Sequence, residues 1–364
     1  MHFMAATGRG SALSLGAWPL EDLVCILTLL PRAALLVLGQ LSSHWRRASA
    51  LARSRKLTDL SLGQEPAPIS CVNTIDEEPF PDLCMYRNVN FASGTLALRL
   101  RRSEISPCVS SSLCDNRYDS ASGCVKLCGS AAYTAHGELR ALLHERPSDT
   151  PSQRHLHPPQ PAPVIFECSA RCSCQKAFSE LSSRQPFSQV PSGHLSRVAC
   201  GNRVVGAGVR FRLQVRKTCH KGWSLHALEP IGRGRFVCEY AGEVLSSAEA
   251  LRRSKHNRER GLDNYIMMVR EHCGDGRVMR TTIDPSHTGN VGRFANHSCE
   301  PNLEIQLVRV GSMVPSVAFF AQRAVGAGEE LTISYGELSE EGAAKPCRCG
   351  APSCTGLLPF QAFV

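Results

Sequence analysis

Two short cysteine clusters place the strongest constraint on how this chain folds. They are a C-x3-C-x-C cluster at Cys168, Cys172 and Cys174, and a C-x-C-x4-C cluster at Cys347, Cys349 and Cys354. Thiols this close along a chain are poorly placed for separate disulfides, whereas one tetrahedral zinc ion accepts several of them as thiolates. With 18 cysteines among 364 residues, we therefore expect zinc in a reducing compartment rather than disulfides in a secreted protein.

An apolar run near the N-terminus is the one feature that favours secretion. It extends from Leu23 to Leu41, but Pro31 and Arg32 interrupt it and two acidic residues precede it. A signal peptide has a basic start and an unbroken apolar stretch, and a transmembrane helix needs about twenty apolar residues. We interpret the run as a buried helix or as a leader segment without a fold of its own, and we expect no membrane partner. A secreted cysteine-rich protein is a hypothesis that rests on this run alone.

Changes in composition divide the chain into regions. Residues 1–68 form an N-terminal appendage that we expect to be poorly ordered, and residues 69–208 hold ten of the cysteines. Within the second region, Pro147–Pro163 is rich in Pro, Ser and His, as is typical of a linker. Residues 209–336 have a different texture, and residues 345–361 contain the last cysteine cluster.

The region after Val209 predicts a mainly β (α+β) fold. Val209–Arg216 alternates apolar with polar side chains, which predicts a half-buried strand. Ser246 and Glu249 form a capping box, which predicts a helix that runs to about Gly261. Further short strands, separated by Gly-rich turns, are predicted at Phe236–Tyr240, Tyr265–Val269, Val278–Ile283, Leu303–Val310, Val317–Ala321 and Leu331–Tyr335.

Four motifs in this region gain meaning from their order and spacing. Taken alone, Gly222 could mark a turn, His297 could be a hydrogen-bonded histidine and Tyr335 could pack in a core. The motifs are Lys221–Leu225, Glu239–Glu243, RFANHSCEPN at Arg293–Asn302 and GEELTISYG at Gly328–Gly336. Followed by the C-x-C-x4-C cluster, they resemble the SET-domain lysine methyltransferases, in the branch with cysteine-rich pre-SET and post-SET flanks. The resemblance covers about residues 160–364, and PISCVN, further upstream, resembles the opening of a pre-SET module.

The resemblance implies a fold and a reaction. The fold is a SET fold of small antiparallel sheets with few helices, in which the NHSC segment threads beneath Leu331–Tyr335 as a pseudoknot. The reaction is methyl transfer from S-adenosylmethionine to a lysine side chain of a histone tail. Family residues that match Tyr240 and Tyr335 line the lysine channel, with Tyr335 as the catalytic hydroxyl. Those that match the cofactor pocket are Lys221, Gly222, Trp223, Tyr265, Arg293, Asn296 and His297.

Zinc ligands follow partly from the spacing and partly from the resemblance. The three C-terminal cysteines leave a tetrahedral zinc ion one ligand short, and the resemblance implies that Cys299 supplies the fourth. It also implies zinc ligands at Cys168, Cys172, Cys174 and Cys200. Here, however, Gln175–Ala199 intervene before Cys200, where the family has a few residues. Either this insertion loops out of a zinc-bearing module, or these residues do not belong to the native fold.

Ser224, Ile333 and the interrupted pre-SET region motivate an alternative function, which the intact Tyr240, Asn296, His297 and Tyr335 oppose. Ser224 stands where a second glycine is usual, and Ile333 and Ser334 stand where an aromatic residue and an aspartate are usual. The alternative is a catalytically inactive SET module that binds chromatin or a protein partner.

Charge patterns agree with a chromatin partner. Seven glutamates and two arginines lie between Glu300 and Glu341, which suits a basic histone tail, although a solvated face explains them equally well. The net charge of +9 could serve a non-specific contact with nucleosomal DNA. We therefore expect a nuclear, chromosome-associated enzyme that uses S-adenosylmethionine and zinc and acts on a histone tail or nucleosome.

Overall fold

A computed structural model defines the fold of most of the chain. It describes residues 18–30, 32–78, 80–81, 85–93, 96, 105, 132–134, 136–144, 164–169, 171–172, 200–273, 276–336 and 345–359. The predicted linker Pro147–Pro163 and the predicted zinc ligand Cys174 lie outside these residues.

Short strands outnumber helices in the described residues, as the sequence predicts. The helices are α1 (Leu20–Leu27), α2 (Arg32–Leu38), α3 (Ser43–Thr58), α4 (Arg140–His144) and α5 (Ser247–Glu259). The first strands are β1 (Ser70–Val72), β2 (Met85–Tyr86), β3 (Ile165–Glu167), β4 (Leu213–Thr218), β5 (Gly222–Ala227), β6 (Phe236–Glu239) and β7 (Gly242–Leu245). The later strands are β8 (Met267–His272), β9 (Val278–Gly289), β10 (Asn296–His297), β11 (Leu303–Val310), β12 (Ser316–Ala321) and β13 (Thr332–Ile333).

The strands form small sheets rather than one continuous sheet. Their orders are β1-β4-β5, β3-β11-β12-β6 and β2-β9-β7, with β8 also paired to β9. A fourth, two-stranded sheet joins β10 to β13. The pairs β4–β5, β11–β12, β12–β6, β7–β9 and β8–β9 are antiparallel, so the predicted mainly β fold of small antiparallel sheets is confirmed.

The alternation that predicts a strand from Val209 produces one that begins four residues later, at Leu213. Leu213 and Val215 are buried, as the alternation requires. Val209 instead bonds to the segment before β1, because its N–H donates to Glu65 Oε2 at 2.8 Å and its carbonyl accepts from the N–H of Ala67. The early part of the predicted strand is therefore held by a loop contact that sequence periodicity does not reveal.

The described residues of the N-terminal segment include helices with one face packed on the core. Leu23, Val24 and Leu27 of α1 are buried in the same cluster as Leu213 and Val215. The interruption at Pro31 and Arg32 separates α1 from α2. The interpretation of the apolar run as a buried helix fits the inner face of α1, whereas Leu36, Val37 and Leu41 further along the run are exposed. Within the described residues, no helix has the length and apolar character to cross a membrane.

Helix α5 begins where the capping box predicts. The Ser246 hydroxyl accepts from the N–H of Glu249 at 3.3 Å. Arg253 then ties the helix to the sheet beneath it, because its guanidinium pairs with Glu243 at 2.9 Å and Asp284 at 2.8 Å. These contacts hold α5 against β7 and β9.

Candidate functional site

The parallel pair β10–β13 brings two distant motifs into contact. Asn296 lies opposite Thr332 and His297 lies opposite Ile333. The N–H of Ser298 continues the pairing with the carbonyl of Ile333 at 3.0 Å. The NHSC segment thus lies against Leu331–Tyr335, as the family resemblance implies.

A buried asparagine that the sequence analysis did not single out clasps this pair. The Asn302 amide donates to the carbonyl of Glu330 at 2.8 Å and to Glu329 Oε1 at 2.9 Å. Its Oδ1 accepts from the N–H of Thr332 at 2.9 Å. Because Asn302 is 2 % exposed, these bonds are shielded from water. The available signal was its position at the end of the NHSCEPN motif.

His297 supports Tyr335 directly. The N–H of Tyr335 donates to His297 Nδ1 at 3.2 Å, and the two rings lie 5.4 Å apart. Burial lowers the pKa of His297, so the ring is neutral near pH 7. With Nδ1 accepting, the proton lies on Nε2, which is 3.5 Å from Cys299 Sγ. A chain of contacts therefore runs from the cysteine cluster through His297 to Tyr335.

The hydroxyl groups of Tyr335 and Tyr240 both face backbone carbonyls. Tyr335 is 40 % exposed as a residue, yet its hydroxyl turns inward and donates to the carbonyl of Ala295 at 3.3 Å. Tyr240 is buried, and its hydroxyl donates to the carbonyl of Tyr265. Burial raises the pKa of both phenols, with a further contribution at Tyr240 from Tyr335. Both groups therefore stay protonated at neutral pH and can orient a ligand through hydrogen bonds.

Arg293 brings Tyr265 into the same region. Its guanidinium lies 4.1 Å from the centroid of the Tyr265 ring, within the range of a cation–π contact. The guanidinium also donates to the carbonyls of Pro285 and Ser286, at 3.1 and 2.9 Å. Because Arg293 is buried, these contacts hold the Tyr265 ring in place. The backbone carbonyl of the same residue accepts the hydrogen bond from the Tyr240 hydroxyl.

The Lys221–Trp223 motif reaches the same site through Glu330. Lys221 Nζ pairs with Glu330 Oε2 at 2.5 Å. Asn296 Nδ2 donates to Glu330 Oε1 at 3.1 Å and to the carbonyl of Trp223 at 3.2 Å. Gly222 has a φ of +71°, and no atom lies within 4 Å of the place where a Cβ would stand. Glu330 was missed as a site residue, although it belongs to the GEEL motif.

Ser224, the residue found in place of a glycine, lies inside β5. Its hydroxyl donates to the carbonyl of Arg216 at 3.2 Å and lies 2.9 Å from His226 Nε2. The hydroxyl is therefore satisfied within the β4–β5 hairpin.

The four cysteines of the predicted C-terminal zinc site gather in space. One ligand sulfur from each of Cys299, Cys347, Cys349 and Cys354 lies within 4.8 Å of the others. Burial raises the pKa of Cys349, but backbone hydrogen bonds at Cys299 and Ala351 and bonds from neighbouring thiols outweigh it and lower the pKa to about 6. Burial and the bonds with Cys349 and Cys354 raise the pKa of Cys347 to about 12. At Cys354 the Gly356 N–H acts to lower the pKa, but the bond with Cys349 raises it above its ordinary value. The sulfur of Cys349 is readily available as a thiolate.

The described residues of the second predicted zinc set are not grouped in the same way. Cys168, Cys172 and Cys200 are buried. Across the described residues, the C-terminal cluster is the one group of three or more Cys, His, Asp or Glu placed to hold a metal. Because Cys174 lies outside the described residues, the second zinc site stays a prediction.

Two of the glutamates that suggested a basic partner act within the chain. Glu329 pairs with Arg323 at 2.6 Å and accepts from Asn302, and Glu330 pairs with Lys221. Their carboxylates are thus part of the motif contacts and give little support to an acidic peptide groove.

Glu239, beside Tyr240, is a buried carboxyl that the sequence analysis left without a role. It is 5 % exposed, and Oε1 has no hydrogen-bond partner among the described residues. Burial raises the pKa of Glu239 to about 8, against a lowering by the hydrogen bond with Ser316. A neutral carboxyl therefore lies next to the tyrosine site at neutral pH.

Sequence comparisons agree with the motifs. The SET domain family model matches residues 222–336 and the Pre-SET motif model matches residues 61–178. The chain is 44 % identical to the histone-lysine N-methyltransferase SETMAR of Homo sapiens, over 55 % of this chain and 28 % of that protein. It is 40 % identical to the probable histone-lysine N-methyltransferase set-23 of Caenorhabditis elegans, over 55 % of this chain and 74 % of that protein. The chain thus spans less than a third of human SETMAR.

Solved structures show the same fold. The crystal structure of the methyltransferase domain of human SETMAR aligns with a TM-score of 0.60 and 31 % identity, over 83 % of this chain and 98 % of that one. The crystal structure of KRYPTONITE in complex with mCHH DNA, an H3(1-15) peptide and SAH aligns with a TM-score of 0.56 and 26 % identity, over 83 % and 53 %.

Proposed function

This chain belongs to the SET-domain family of histone-lysine N-methyltransferases, and we propose that it transfers a methyl group from S-adenosylmethionine to a lysine of a histone tail. The observation that carries the proposal is the convergence of Tyr240 and Tyr335, which interact electrostatically, with the β10–β13 pair that bonds Tyr335 through His297. The relatives named as histone-lysine methyltransferases and the neighbour solved with an H3 peptide and SAH support the substrate and cofactor classes.

The residues around Gly222 fit S-adenosylmethionine. The space over Gly222 is open, so a ligand can approach its backbone closely. Asn296 binds the carbonyl of Trp223 and so joins this backbone to β10. We propose that Lys221, Gly222, Trp223, Tyr265, Arg293, Asn296 and His297 hold the cofactor. When bound, the cofactor supplies an electrophilic methyl group on its sulfonium.

The cysteine cluster fits zinc. A zinc–thiolate bond of about 2.3 Å places the sulfurs of a tetrahedral site about 3.8 Å apart, and the four sulfurs here lie within 4.8 Å of one another. We propose Cys299, Cys347, Cys349 and Cys354 as its ligands. This site would hold residues 345–359 beside β10, because Cys299 follows that strand by two residues.

The protein's part in the reaction is to present a neutral amine in line with the methyl donor. Free lysine has a pKa of about 10.4, and enclosure among aromatic side chains lowers it by desolvation. We propose that the protonated hydroxyls of Tyr240 and Tyr335 orient the amine, with Tyr335 at the reacting centre. Positioning of this kind, together with hydrogen bonds that strengthen in the transition state, is how such groups accelerate a transfer.

The region boundaries, partners and location belong to the same proposal. We propose a SET catalytic domain at 209–336, a post-SET zinc motif at 345–361 and a degenerate pre-SET region at 69–208. A chain that modifies histone tails acts in the nucleus on chromosomes, and its charge of +9 suits a further contact with nucleosomal DNA.

Label transfer tests the proposal. The purified chain is incubated with labelled S-adenosylmethionine and with core histones or nucleosomes. We expect transfer to histone lysines by the wild type and a loss of about 100-fold in Tyr335→Phe, the size typical of losing one catalytic hydrogen bond. Tyr86→Phe is the matched control, because it removes a buried hydroxyl that bonds Glu65, and neither residue is assigned to the site.

Two outcomes would contradict the proposal. A folded wild type that binds zinc and cofactor but transfers no label would favour the catalytically inactive SET module. Full activity in Tyr335→Phe would refute the role of its hydroxyl.

A further inference from the structure

Strands β8 and β9 continue past the sheet as a two-stranded ribbon. β7 pairs with β9 at Thr282–Asp284 and at Gly289, and β2 pairs with β9 at Thr288 and Gly289. In the described part of the chain, Val278–Thr281 pair only with Val269–His272 of β8. We call these two segments, Val269–His272 and Val278–Thr281, the arginine ribbon.

One face of the arginine ribbon is anchored to the body of the protein. Glu271 Oε1 pairs with Arg309 Nη2 at 2.7 Å, and Arg309 is 2 % exposed. Arg309 lies on β11, in a different sheet. Because side chains alternate between the faces of a strand, Arg270 and His272 lie on the opposite face from Glu271.

The free face carries two arginines directly across from each other. Arg270 and Arg280 are register partners in the antiparallel pair, and both side chains are exposed. Opposed residues have Cβ atoms about 4.5–5.5 Å apart, and like charges at that separation destabilise a sheet. Within the described residues, neither arginine has a side-chain hydrogen bond or ion pair to offset the repulsion. His272 and Val278 complete this face, which has no acidic side chain among its described residues.

We propose that the arginine ribbon contacts the phosphates of double-stranded DNA. A guanidinium binds phosphate through a planar fork of N–H donors, and the DNA major groove admits a two-stranded β ribbon. The major groove of duplex RNA is too narrow and deep for a β ribbon to enter. A protein partner would instead need apolar or aromatic anchors at the centre of the contact, and this face offers Val278 at its end. The proposal rests on the nucleosome as substrate, since DNA lies beside every histone tail there.

The salt dependence of DNA binding tests the ribbon. The full chain is titrated against a short labelled DNA duplex over a range of KCl concentrations, and Arg270→Gln/Arg280→Gln is compared with the wild type. Loss of two phosphate contacts should reduce the slope of log K against log[salt] by about 1.8 and weaken binding by up to about 60-fold at 0.1 M salt. The control Arg46→Gln/Arg47→Gln removes the same charge from exposed positions on α3 and should change the slope little.

The variant should keep its fold, because it removes a repulsive pair; its unfolding temperature should match or exceed that of the wild type. Equal slopes in the two double variants, or equal competition by duplex RNA or polyglutamate, would overturn the assignment to DNA. So would a binding loss accompanied by a lower unfolding temperature. DNA binding that depends on the ribbon, without methyl transfer, would support the ribbon proposal and contradict the proposed enzyme activity. Methyl transfer with an unchanged salt slope in Arg270→Gln/Arg280→Gln would support the enzyme activity and contradict the ribbon proposal.

Discussion

Replacing Asn302 by alanine tests whether this side chain holds the β10–β13 pair together. The change removes the acceptor of the Thr332 N–H and the donor to the Glu330 carbonyl, at 2.9 and 2.8 Å. Thr332 is 7 % exposed, so water reaches the stranded groups poorly. Each buried polar group left without a partner costs about 1–3 kcal/mol, and for the two stranded groups we expect a total loss of about 2–6 kcal/mol. The unfolding temperature should fall by roughly 4–24 °C, at about 2–4 °C per kcal/mol for a folded unit of about 150–250 residues.

Thermal unfolding followed by circular dichroism measures the effect. The matched control is Asn88→Ala, which removes one surface hydrogen bond of 3.2 Å to the carbonyl of Gln64 and should cost less than about 1 kcal/mol. If Asn302→Ala unfolds within a degree or two of Asn88→Ala, the clasp does not stabilise the site and the reasoning is wrong.

Three further predictions concern the cysteine cluster, the buried carboxyl and a close backbone contact. Cys349→Ser should lower the zinc content measured by atomic absorption, because one of four sulfur ligands is lost; unchanged zinc would exclude this cluster as the site. Burial raises the pKa of Glu239 to about 8, so its contribution to the free energy of unfolding is fully present below about pH 4.3, the pKa of a free glutamate. This contribution is lost as the pH rises towards 8, and the loss at pH 7 is on the order of 3 kcal/mol. In Glu239→Gln, the free energy of unfolding measured with urea should therefore decrease less between about pH 4.3 and pH 8 than it does in the wild type. The same pH dependence in both proteins would contradict the prediction. Gly292→Ala should impair folding, since a Cβ there would overlap the Glu239 carbonyl oxygen, whereas Gly326→Ala has room. Equal soluble yields and unfolding temperatures for the two variants would refute this.

Local patterns were sufficient to predict several elements of the fold. Period-two alternation and Gly-rich turns predicted the strands now seen at β6, β11 and β12, and the Ser246 cap predicted the start of α5. These signals depend on neighbours within a few residues, which the sequence displays directly. The start of β4 was predicted too early, because the contact of Val209 with Glu65 joins residues 144 positions apart.

For the candidate site, the sequence by itself determined the chemical groups: the tyrosines, the NHSC segment and the four cysteines that meet in space. Only the tertiary structure decided the clasp by Asn302, the place of Glu330 between Lys221 and Asn296, the packing of α1 on the core and the opposition of Arg270 to Arg280. The physical reason is that a motif fixes which donors and acceptors are present. Which of them meet depends on threading and strand register, and these are set by the burial of side chains far apart in the chain.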